Sequence, residues 1–221
     1  KYSGHVIGAN KEINDDFNNK NQLIIPAIFL VSLSRCRKKM ESMLGLLKIV
    51  VKRGINLAVR DITTSDPYVV ISMGNQTRKT HVIKCNCNPE WNEELSLSIS
   101  DLNQPINLVV YDRDTFTGDD KMGEAELNIK PYIESLRMGL KNLPSGCVVS
   151  RVQPNRTNCL SDESRIIWRE GRIVQDMLLR LKNVESGELE IQIEWVDVPG
   201  CKGLSSEAGE TRHTTKGKWI D

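Results

Sequence analysis

The sequence predicts an all-β fold, an eight-stranded antiparallel β-sandwich with a partly helical insertion between strands six and seven. Three observations predict it. Short runs rich in Val, Ile, Leu and Tyr recur along the chain, separated by turn residues. Several of these runs alternate strictly between apolar and polar residues, as strands with one face in a core and one in water do. The 221 residues suffice for one domain with a full core plus extensions.

Leu46-Leu47-Lys48-Ile49-Val50-Val51-Lys52 is the first strand and stops at Arg53-Gly54. Tyr68-Val69-Val70-Ile71-Ser72-Met73 is the second, closed by Gly74-Asn75. The third runs from Thr77 to Ile83, with Thr and Val at β-favouring positions. Glu94-Leu95-Ser96-Leu97-Ser98-Ile99 alternates cleanly as the fourth, and Ile106-Asn107-Leu108-Val109-Val110-Tyr111 is the fifth. The sixth, Glu124 to Ile129, alternates again. Ile173 to Leu181 and Glu188 to Trp195 are the seventh and eighth, the last with charged or polar residues at every second place.

The insertion covers residues 131–170. Pro131 at a helix start and apolar residues at helical spacing predict a helix over Pro131 to Met138. The stretch after Gly146 through Glu163 is polar and irregular, and reads as a long loop of the kind that is functional or disordered. The domain proper spans residues 44–199. Residues 200–221 are rich in Gly, Ser, Thr and charge and read as a disordered tail.

Residues 1–39 read as a disordered leader or non-native extension, with Met40 or Met43 as the native start. The apolar run at 23–33 falls short of the about 20 residues a bilayer span needs and contains Pro26. Arg35, Arg37, Lys38 and Lys39 come after the run and no small-residue cleavage site follows, which argues against a secretory signal. An uncleaved membrane anchor is the alternative.

Charged residues make up 27% of the chain and the formal net charge is +1, so no global field draws it to nucleic acid. The six cysteines form no CxxC pair and no dense framework, consistent with reduced thiols. Cys85 and Cys87 have no partner pair at zinc spacing and read as structural. There is no Gly-rich phosphate loop or nucleophile elbow, and the three histidines, His5, His81 and His213, offer no catalytic arrangement. An enzyme is not expected.

Five aspartates, Asp61, Asp66, Asp112, Asp114 and Asp120, carry the chemistry from two clusters. The first is Arg60-Asp61-Ile62-Thr63-Thr64-Ser65-Asp66-Pro67; the second runs from Tyr111-Asp112-Arg113-Asp114 to Asp119-Asp120-Lys121. Each lies at a strand end. Asp112 and Asp114, two apart, point the same way from an extended chain, and Gly118 lets the loop return to bring Asp120 back. Carboxylates at one rim repel, at roughly 4 kcal/mol per contact pair for an effective dielectric of about 20. A hard cation removes that cost, and calcium accepts about 6–8 oxygen ligands, including carbonyls such as those of Arg60 and Arg113. No His or Cys is interleaved, which argues against zinc or copper. A helix–loop–helix site is excluded: begun at Asp112, its template puts Phe116 at the fifth position, Thr117 at the sixth and Gly123 at the twelfth. The alternative is a set of solvated turn aspartates.

Asp66-Pro67-Tyr68-Val69, Asn88-Pro89-Glu90-Trp91-Asn92-Glu93 and Tyr111-Asp112-Arg113-Asp114 with Asp120-Lys121-Met122-Gly123 resemble the signature of a C2 domain. All five acidic calcium positions of that domain are filled, at Asp61, Asp66, Asp112, Asp114 and Asp120. Residues 54–61, Ile129 to Tyr132, Gly171 to Met177 and Trp195 to Gly200 are similar to the plant C2-domain abscisic-acid-related family, whose signature insertion falls at 131–170. The resemblance implies calcium as the cofactor, binding to anionic phospholipid membrane, recruitment of soluble abscisic-acid receptors and activation of a small GTPase. It implies a peripheral place on the cytoplasmic face of the plasma membrane, with cytoplasm and nucleus. Phe116, near the tip of the third loop, is a candidate for dipping into headgroups. The family's basic third strand is thinned here to Lys79, with Arg78 and Lys84 beside it, each worth about 1 kcal/mol near an anionic surface. A C2 fold used only for protein contacts is the remaining reading.

Overall fold

A computed structural model describes residues 40–60, 64–114 and 118–204. The expectations for 1–39 and for most of the 200–221 tail lie outside the described residues. After a helical stretch at 40–42, the elements in order are β1 (Gly45–Ile55), β2 (Pro67–Met73), β3 (Gln76–Lys79), β4 (Glu90–Ile99), β5 (Ile106–Asp112), β6 (Asp120–Leu127), α1 (Lys130–Arg137), β7 (Val148–Val152), β8 (Ser164–Arg169), β9 (Arg172–Arg180) and β10 (Glu188–Val196). A six-stranded sheet in the order β4-β1-β10-β9-β8-β7 faces a four-stranded sheet in the order β3-β2-β5-β6, and every pairing between named strands is antiparallel.

The alternation in the sequence is the alternation of burial. Along β10, Leu189, Ile191, Ile193 and Trp195 are buried and the residues between them are half-buried. β2 does the same with Val69, Ile71 and Met73, and β5 with Ile106, Leu108 and Val110. These side chains meet Leu47, Ile49, Val51, Leu97 and Ile99 in one continuous core. Each fully buried aliphatic chain contributes about 1.5–3 kcal/mol. Packing is tight where β1 begins: a Cβ added to Gly45 would run into the Trp195 indole.

The eight-strand expectation is corrected to ten, because the insertion is not the irregular loop predicted after Gly146. β8 and β9 form a hairpin across Glu170 and Gly171, both left-handed at φ 49° and 85°, the backbone a two-residue turn requires. β7 pairs with β8 and extends the larger sheet by one more strand. The third strand ends at Lys79 instead of Ile83. Thr80 is buried there, and its Oγ1 accepts the Val69 N–H at 2.9 Å, taking the place of a ladder bond. The sixth strand begins at Asp120, four residues earlier than the pattern of alternation suggests.

The predicted helix forms as α1, with Pro131 in its first turn, and buries Tyr132, Ile133 and Ser135. The Tyr132 hydroxyl donates to the Ile173 carbonyl at 2.7 Å and accepts the Trp195 N–H at 2.7 Å. One phenol thus ties the insertion to β9 and β10. Among the described residues no helix is long and apolar enough to cross a membrane. Cys85, Cys87, Cys147, Cys159 and Cys201 are free.

Candidate calcium site

The acids converge because three neighbouring strands end together. Pro67 of β2 sits opposite Asp112 of β5, and Asp112 sits opposite Asp120 of β6. Asp66, immediately before Pro67, joins the same rim. Its N–H donates to Asp112 Oδ1 at 2.6 Å, and its carbonyl accepts the Arg113 N–H at 3.1 Å. Asp66 Oδ1 accepts the Cys85 N–H at 2.8 Å, so the turn after β3 fixes this carboxylate from the other side.

Asp112 is 1% exposed, and its Oδ2 is buried with no hydrogen-bond partner among the protein atoms. A buried carboxylate oxygen left unpaired is costly. Nearby stand Asp66, half-buried, and Asp120, exposed. This donor set is all oxygen and anionic, which suits a hard divalent cation and calcium in particular. Among the described residues, no three His, Cys, Asp or Glu side chains are already drawn together at metal-holding distance.

Of the predicted ligands, Asp66, Asp112 and Asp120 share the rim, and the Arg60 and Arg113 backbones flank it. Asp114 follows β5 and is half-buried, outside the strand, so the two-residue alternation does not set its direction. Asp61 and Phe116 lie outside the described residues, as do Ile62, Thr63, Thr115 and Thr117. The stem of the first loop is nonetheless well tied. Ser65, fully buried, accepts the Arg60 N–H at 2.9 Å and donates to the Ala58 carbonyl at 3.3 Å.

Sequence reasoning passed over Asp119. Its Oδ2 accepts the Tyr68 hydroxyl at 2.6 Å and its Oδ1 accepts the Asp114 N–H at 3.2 Å. The Tyr68 bond draws the Asp119 carboxyl below its ordinary range. Burial and that same bond push Tyr68 up to about 12. Of the adjacent acids 119 and 120, one braces the third loop through Tyr68 and the other opens β6 opposite Asp112. Val59, 47% exposed beside Arg60, was also missed. An exposed valine leaves no periodic signal in a loop.

The basic candidates divide by face. Lys79 opposes Val70, placing it on the outer face of the smaller sheet with Tyr68 and Tyr111, whose rings stack at 5.7 Å. Arg78 opposes Ile71 and so has the other parity, at the sheet edge. Its guanidinium donates to the Thr77 carbonyl at 2.9 Å. Lys84 is exposed on the turn after β3. Lys79 and Arg78 thus leave β3 on opposite faces. His81, expected on a strand, follows β3 and contacts Glu93 Oε2 at 2.7 Å.

The C2 domain family profile matches residues 45–143. Protein C2-DOMAIN ABA-RELATED 4 of Arabidopsis thaliana is 58% identical over 171 residues, covering 77% of this chain and 97% of that protein. Protein C2-DOMAIN ABA-RELATED 5 of the same plant is 60% identical over 165 residues, covering 75% and 82%. Among solved structures, the paired C2 domains of extended synaptotagmin 2 match with a TM-score of 0.49 at 23% identity, over 70% of this chain and 42% of that one.

Proposed function

The chain belongs to the C2-domain ABA-related family, and from that premise we propose that it is a calcium-dependent phospholipid-binding adaptor that recruits soluble abscisic-acid receptors to the plasma membrane. The observation that carries the calcium part is the buried, partnerless Oδ2 of Asp112 beside Asp66 and Asp120.

Asp112 would be the central ligand, with Asp66, Asp114, Asp120 and Asp61 around it and the Arg60 and Arg113 carbonyls completing the shell. When bound, calcium supplies positive charge and open coordination positions for lipid phosphate oxygens. Before loading, the aspartates repel an anionic surface and hold the protein in solution. The framework needs little rearrangement, because Asp66 and Asp112 are already joined through the Asp66 N–H.

Val59 and Phe116, on the two loops that flank the rim, would then reach the headgroup layer. Lys79, with the Tyr68–Tyr111 pair on the same outer face, adds a weak electrostatic contact of about 1 kcal/mol. The adaptor would sit peripherally on the cytoplasmic face of the plasma membrane and exchange with pools in the cytoplasm and nucleus. The insertion, with α1 and the strands β7 and β8 at the edge of the larger sheet, would offer the receptor its surface.

Cosedimentation with phosphatidylserine-containing vesicles, in calcium and in EGTA, tests the reading. Calcium-dependent pelleting, lost in D112A with D114A, is the expected result. Pelleting that ignores both calcium and these substitutions would sink it. Co-recruitment of a purified abscisic-acid receptor to the same vesicles tests the adaptor role separately.

A further inference from the structure

Arg60 faces two ways. Its backbone stands beside the acids, while its guanidinium lies against Glu185, with Nη1 to Oε1 at 2.6 Å and Nη2 to Oε2 at 3.0 Å. Its Nε reaches the Lys121 carbonyl at 3.4 Å. Lys121 follows Asp120, which opposes Asp112. A permanent positive charge thus sits next to the rim, and Asp112 and Asp120 both act on it electrostatically.

Glu185 is itself held in place. The turn between β9 and β10 is pinned to β6 by paired bonds between Glu124 and Lys182, at 3.1 and 2.7 Å, and by the Asn183 side chain on Glu124.

We propose that Glu185 is a positioning residue for the calcium site, keeping the Arg60 guanidinium docked on the β9–β10 turn so that it does not occupy the acids as an internal competing cation. This rests on the calcium reading above. Arginine forms planar, two-bond pairs with carboxylates, and a guanidinium released from Glu185 has Asp112 and Asp120 as near alternatives. Pairing there would satisfy the acids without a metal and lower calcium affinity. The docked arrangement neutralises the guanidinium and leaves the rim to the divalent ion.

Calcium chloride titration of the full chain by calorimetry, with a double-mutant cycle, tests the role. E185Q is expected to weaken calcium binding by about tenfold, as a released competing charge should. R60Q removes the competing charge and is expected to bind calcium up to about threefold tighter than the parent. The double variant R60Q/E185Q should behave as R60Q. E185D retains the charge but shortens the reach, and should fall between parent and E185Q. Melting in EGTA identifies any variant that fails to fold, and E185D then serves in place of E185Q. A loss in E185Q that persists undiminished beside R60Q, or no loss at all, overturns the inference while leaving the calcium site standing. A parent chain that takes up no calcium overturns the calcium reading, and this inference with it.

Discussion

The backbone N–H of Asp66 donates to Asp112 Oδ1 at 2.6 Å, and the other oxygen of Asp112 is buried without a partner. The first loop is thereby fastened to the third by the same carboxylate whose second oxygen has no protein partner.

Ligand binding to the folded state alone raises stability, by about 2.7 kcal/mol at a hundredfold excess over Kd. The parent chain is therefore expected to melt at higher temperature in calcium than in EGTA. D112N keeps an oxygen for the Asp66 N–H but loses the charge, and its melting temperature should not respond to calcium. Differential scanning calorimetry of both proteins, with and without calcium, checks this. An equal calcium shift in D112N would remove Asp112 from the site.

Tyr68 is pushed up to about 12 by burial and by its bond to Asp119. A raised phenol favours the neutral form in the folded state. The contribution is complete below the ordinary value of 10 and is lost as pH rises from 10 towards 12. Ultraviolet titration of the parent chain in EGTA should show two tyrosines above the ordinary range, Tyr68 and the buried Tyr132, of which one disappears in Y68F. Y68F should cost about 1 kcal/mol, the net worth of one hydrogen bond.

The outer face of β3 has room for more charge. Thr77 is exposed and opposes Ser72, on the same side as Lys79. T77K adds one basic residue to that face, worth about 1 kcal/mol or about fivefold in binding to anionic vesicles. The gain should shrink at high salt. Vesicle pelleting over a salt series measures it, and no gain at low salt would exclude this face from the lipid contact.

Tyr132 is fully buried, and its hydroxyl serves both the Ile173 carbonyl and the Trp195 N–H. Y132F strands both backbone groups and should destabilise the domain by about 1–3 kcal/mol in urea unfolding. Calcium affinity should not change, because the phenol lies in the insertion and not at the rim.

Strands with strong alternation were legible in the sequence, and β1, β2, β4, β5 and β10 lie where they were predicted. β9 was predicted as the seventh strand, but its hairpin partner β8 was missed because a polar flank hid a signal that was present, Ile166-Ile167-Trp168 ahead of Glu170-Gly171. The early end of β3 was not legible, since Thr80 ends it by reaching Val69 on a neighbouring strand. Cross-strand capture leaves no mark on local periodicity.

By itself the sequence determined the sandwich class, the two acidic clusters, the helix begun by Pro131 and the family resemblance. These are local patterns: alternation, turn residues and short motifs, each readable within one element. Tertiary structure decided what each acid does. Asp112 is buried with an unpartnered oxygen, Asp119 braces Tyr68, and Asp120 is exposed opposite Asp112, although all three are aspartates in one short stretch. It also placed Glu185, far along the chain, against Arg60. Register between strands sets such pairings, and register depends on partners that no single stretch of sequence contains.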